Sequence, residues 1–162
     1  MPSFPLFKTR IIGIGNPLRC DDGVGCVVAE RLRTLLPNPF PILTLHSDLS
    51  RLVEQMTGFD RVILIDAAIG ISVGQFQRIN ALEQTLPQLP NTSSHSITLP
   101  EVLALCKTLG VLPQSVILYA IGASDFAFGE GISSSLAPVL EQVVALIAEE
   151  VSSFCPLSMT NS

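Results

Sequence analysis

Arg10-Ile11-Ile12-Gly13-Ile14-Gly15-Asn16-Pro17-Leu18-Arg19-Cys20-Asp21-Asp22-Gly23-Val24-Gly25 sets the fold class. Its first part, residues 10–15, is a short apolar run that ends in glycine and reads as a buried strand. Beyond the polar turn, Val24, Val27, Val28, Leu32, Leu35 and Leu36 recur at helical spacing, with Glu30, Arg31 and Arg33 on the opposite face. Pro37 and Pro39 stop that helix. A strand followed closely by an amphipathic helix opens an alternating α/β chain.

The alternation continues outward. Residues 42–45 read as a second strand and 49–56 as a short helix ended by Gly58. Residues 61–67 form an apolar strand of the kind buried on both faces of a parallel sheet. Residues 73–79 alternate apolar and polar, which predicts a more exposed edge strand. Only residues 68–72 precede it, too few for a crossover helix, so it should run antiparallel to its predecessor. Residues 80–97, rich in Pro, Gln, Ser and Asn, read as a long loop. Thr98-Leu99-Pro100-Glu101 fits a capping box, and Leu99, Val102, Leu103, Cys106 and Leu109 share one helical face stopped by Gly110. A last strand at 115–121, a Gly/Ser/Phe loop at 122–135 and a final helix from Leu136 to Val151 complete the pattern. The expected fold is a three-layer α/β sandwich. Its sheet is twisted, five-stranded and mostly parallel, with one antiparallel edge strand and helices on both faces. One domain is expected over residues 1–155, with a frayed tail at 156–162.

Composition narrows the function. The 162 residues are 48% hydrophobic and 14% charged, so disorder is excluded. A net charge of -5, a pI near 4.9 and scattered Lys and Arg argue against nucleic-acid binding. The longest nearly apolar run, residues 62–71, is too short to span a membrane and carries Asp66. No segment reads as a signal peptide. Cys20, Cys26, Cys106 and Cys155 form no C-x-x-C pair, which fits a reduced cytoplasmic thiol set. Cys26 and Cys106 fall on apolar helix faces, as core thiols do.

The glycine-rich turn is not a dinucleotide fingerprint. That motif needs glycine where Leu18 stands, and residues 32–35 offer no acid for a ribose. Asp21 and Asp22 admit two readings: both cap the helix, or one caps and the other does chemistry. Gly23 and Gly25 in a first turn imply close approach of another backbone. Asp66 follows Val62-Ile63-Leu64-Ile65 near the end of a central strand, where a carboxylate needs a partner or a proton. Loop hydrogen bonds would satisfy it. If the first and third strands are neighbours, Asp22 and Asp66 instead share one crevice, and such a pair holds a proton or invites a cation. His95 lies in the polar loop on no apolar face, and His46 ends the second strand at the same rim. His95 reads as a surface histidine or a ligand. Two acids and one imidazole make an open O/O/N set suited to a borderline divalent ion.

With these residues in view, the chain resembles the maturation proteases of [NiFe] hydrogenases from about Ile11 to Ile147. Gly13-x-Gly15-Asn16-x-Leu18-x-x-Asp21-Asp22-x-x-Gly25 is similar to the family's first motif, residues 62–67 to its second and Ser94-His95 to its third. The resemblance implies metal contacts and catalysis at Asp22, Asp66 and His95. It implies an endopeptidase with no serine or cysteine nucleophile and no resident cofactor. It further implies that nickel already inserted in the large-subunit precursor is recognised and that a C-terminal extension is then removed. Asp21 or Asp22 would assist proton transfer. His46-Ser47-Asp48-Leu49-Ser50 departs from the family's usual Asp-Gly-Gly-Thr type segment, which points toward the proteases serving bidirectional hydrogenases. His46, Asp48 and the loop carrying Asp125, Phe126, Phe128 and Glu130 are candidate client contacts, and ordinary packing is the alternative for that loop. A cytoplasmic monomer is expected. The competing readings are a non-catalytic nickel-binding or chaperone-like module with the same ligands, and a thiol hydrolase using Cys20.

Overall fold

β3 (Arg61–Ala68) is buried along its whole length, as an unbroken apolar run requires of a central strand. The computed structural model describes residues 8–37, 40–46, 48–90 and 96–153. His95, Cys155 and the tail at 156–162 lie outside the described residues. Around β3 are β1 (Thr9–Ile14), β2 (Ile42–Leu45), β4 (Phe76–Asn80) and β5 (Ser115–Gly122). The sheet order is β2-β1-β3-β5-β4, parallel throughout except for β4 against β5.

Alternation along the strands splits the core in two. Ile11, Ile63, Ile65, Ile117 and Tyr119 face α1 (Val24–Leu35) and α4 (Ala137–Ser152). Ile12, Val62, Leu64, Val116 and Leu118 face α2 (Leu52–Met56) and α3 (Leu99–Leu109). The three layers are those expected. The capping box also forms: Thr98 N–H donates to Glu101 Oε2 at 2.7 Å, and Glu101 N–H donates to Thr98 Oγ1 at 3.4 Å. Cys26 and Cys106 are buried, as core thiols should be. No described helix is long and apolar enough to cross a membrane.

Two features differ from the sequence reading. The edge strand starts at Phe76 rather than Val73, because Gly74 turns the chain at φ +85° and Gln75 N–H closes on Ser72 O at 3.0 Å. β4 does run antiparallel to β3, but β5 lies between them. The connection must therefore cross the end of β5, and Gly122 makes room: a Cβ there would sit 2.2 Å from Ser72 O.

At the edge of the sheet, the Glu150 carboxylate of α4 binds Arg61, Arg78 and the Tyr119 hydroxyl. Burial opposes its ionisation, yet hydrogen bonds from Arg78 and Tyr119 and the charges of Arg61 and Arg78 hold it below the ordinary value. A depressed carboxyl contributes stability above the unfolded pKa and loses it as pH falls through the folded one. Glu150→Gln should therefore cost about 3 kcal/mol at pH 7. In urea titrations the gap to wild type should close below about pH 4.3. A pH-independent gap would mean that packing, not charge, holds Glu150.

Candidate functional site at the switch point of the sheet

From β1 the chain steps to β2 on one side, and from β3 it proceeds to β5 and β4 on the other. The crevice beyond the carboxyl ends of β1 and β3 is thus the topological switch point, where open α/β sheets place their ligands. The β1–β3 ladder ends at Gly13 opposite Ile65, one residue short of Asp66. Asp22 comes from the short 3-10 turn Cys20–Gly23 between β1 and α1. The sequence thus delivers one carboxylate from each side of the crevice.

Glycines let the backbones meet there. A Cβ on Gly13 would lie 2.3 Å from Gly25 O, and one on Gly25 would lie 2.2 Å from Ile65 O. Gly15 takes φ +144°, and a Cβ there would meet Asp22 O at 1.8 Å. The glycines of the motif are contact points between α1 and the two strands that carry the site. Gly25→Ala, pressed against fixed backbone next to Asp66, should destabilise by about 3 kcal/mol and lower Tm by roughly 10 °C. An unchanged melting curve would show that helix and strand have room to part.

Asp22 and Asp66 are 4% and 3% exposed. Asp22 Oδ2 accepts the Asn16 N–H at 3.2 Å. Asp66 Oδ1 is buried with no hydrogen-bond partner among the described residues. Burial and then the charge of Asp22 push Asp66 well above the usual carboxylate range, against one hydrogen bond from the Ala67 backbone. Burial also raises Asp22, opposed by Asn16 and Arg19. The Cys26 thiol, beside the Gly13 and Gly15 carbonyls, is pushed up to about 12 by burial and by the charges of Asp66, Asp22 and Glu30. Two buried carboxylates thus repel each other here, an arrangement that favours a proton on Asp66 or a cation at the pair. Among the described residues no cluster of three or more His, Cys, Asp and Glu is assembled. The third candidate, His95, is three residues before Thr98, the N-cap of α3.

Neither aspartate caps α1: the cap position is Gly23, with no side-chain hydrogen bond. That corrects both capping readings. Asp21 turns away to residue 133, where its two oxygens accept from Ser133 N–H at 2.7 Å and Ser133 Oγ at 3.0 Å. Ser133 was not foreseen, since nothing singles it out in a Ser-Ser-Ser run. Asp48 binds Ser50 N–H at 3.1 Å and starts the short turn before α2, a local task. His46 is exposed. In the loop after β5, Phe126 packs on the core while Phe128 is 90% exposed. Cys20 sits at φ +47°, and burial, then Asp125 and Asp21, raise its thiol. An unfavoured thiolate removes the support for a Cys20 nucleophile.

Comparison of the sequence with curated proteins gives no match. Among solved structures, the E. coli hydrogenase maturating endopeptidase HybD superposes with a TM-score of 0.75 at 18% identity, covering 90% of this chain and 93% of that one. The [NiFe] hydrogenase maturation protease HycI from Thermococcus kodakarensis KOD1 gives 0.73 at 28% identity, with the same 90% and 93% coverage. HybD from Thermococcus kodakarensis gives 0.68 at 21% identity over 89% of this chain and 98% of that one. The family model HycI, described as hydrogenase maturation protease, matches residues 30–152. That match starts beyond Gly25 and so rests on residues other than the glycine motif. It spans well over half of the sequence, and the chain belongs to the hydrogenase maturation protease family.

Proposed function

We propose that this protein is an endopeptidase that recognises nickel already inserted in the immature [NiFe] hydrogenase large subunit and removes that subunit's C-terminal extension. The observation that carries the reading is the pair of buried carboxylates at the β1/β3 switch point, one of them with an oxygen unpartnered among the described residues. Asp22 and Asp66 supply two oxygen contacts for the ion and His95 the imidazole. The nickel belongs to the client and is part of the substrate. It acts as a Lewis acid on the scissile carbonyl or on the attacking water. Hydrolysis breaks the C–N bond, adds the water oxygen to the carbonyl carbon and puts a proton on the leaving nitrogen.

The test is the intact mass of purified nickel-loaded precursor before and after incubation with this protein. Loss of a C-terminal fragment is expected. Stable binding with unchanged mass would replace the hydrolytic assignment with a nickel-binding assembly role.

A further inference from the structure

The resemblance leaves proton transfer to either member of the Asp21-Asp22 pair, and the structure separates them. Asp21 is buried, and both of its oxygens are taken by Ser133, 112 residues away. Its own N–H donates to Asp125 O at 2.9 Å. Next to it, Cys20 N–H donates to Gly129 O at 2.9 Å and Gly129 N–H to Leu18 O at 2.8 Å. Arg19 Nε adds a bond to Phe126 O at 3.2 Å. These bonds weld the turn after β1 to residues 123–133 as one wall beside Asp22. The wall carries two exposed apolar side chains, Leu18 at 57% and Phe128 at 90%.

We propose that Asp21 is a positioning residue that locks residues 123–133 into this wall, against which the client polypeptide lies, and that it moves no proton in the reaction. The kinetic part rests on the endopeptidase reading; the locking part does not. The chemistry offers a clean discriminator. In Asp21→Asn the amide oxygen still accepts from Ser133 N–H, and the amide nitrogen donates to Ser133 Oγ. Asparagine keeps the lock and loses the acid.

Hydrogen exchange of the free proteins, read by mass spectrometry, should show faster exchange at Ser133 and Gly129 in Asp21→Ala and wild-type protection in Asp21→Asn. With precursor, Asp21→Ala should raise KM about tenfold with kcat nearly unchanged, and Asp21→Asn should restore KM to within about threefold. Ser133→Ala, which removes only the hydroxyl, should fall between them and serves if Asp21→Ala does not fold. An Asp21→Asn variant with wild-type exchange but lost kcat would overturn the inference and place Asp21 in the chemistry. Unchanged exchange in Asp21→Ala would show that there is no lock. If the wild type trims no precursor, the proposed activity falls, while the exchange data still decide the lock.

Discussion

Asp66→Asn is expected to make the free protein more stable and the enzyme inactive. Asp66 has a folded pKa raised by burial and by Asp22, so the native state holds its proton more tightly than the unfolded chain. Between the ordinary carboxylate value of about 3.9 and the raised folded value, the folded state binds more protons, and stability falls as pH rises. Asp22 shifts the same way and adds to the slope. Asparagine keeps the acceptor for the Ala67 N–H and never ionises. Melting curves should therefore nearly coincide at pH 4 and separate as pH rises. At pH 8 the variant should melt about 3–6 °C higher. Processing should drop by about 10³-fold, because on the proposed reading the Asp66 carboxylate is lost as a contact for the client's ion. A variant less stable than wild type at pH 8 would mean that Asp66 meets a compensating partner in the free protein. Full activity would remove it from the site.

The sequence made Asp66 and the glycines legible because each breaks a local rule. A carboxylate ending an apolar strand, and glycines in the first turn of a helix, call for an explanation at once. That explanation was close backbone approach, and the contacts of Gly23 with Pro17 and of Gly25 with Ile65 bear it out. Asp21 and Asp22 were not separable, since adjacent residues of one type differ only in what the distant chain brings to them. What tells them apart is Ser133, 112 residues away, which bonds to Asp21 and not to Asp22. Likewise the short link after β3 fixed the direction of β4, but not that β5 would insert between them. Direction follows from loop length, whereas pairing follows from which surfaces bury best.

Nickel-free precursor is expected to be trimmed at least about 10²-fold more slowly than the same precursor carrying nickel. Neighbouring like charges in an environment of effective dielectric about 20 repel by roughly 3 kcal/mol, a penalty that a divalent ion between them removes. In the free protein, burial and the charge of Asp22 favour the protonated form of Asp66, which relieves that penalty. On the proposed reading, arrival of the ion would favour the ionised pair, so docking and the catalytic protonation state would come together, and a client without metal would provide neither. Two parallel digestions of matched precursor, with and without nickel, followed by intact mass, make the comparison. Asp66→Asn should flatten the difference by slowing the loaded arm. Equal trimming of both precursors would break the link between the buried carboxylates and the ion, and would leave their burial to be explained by proton transfer alone.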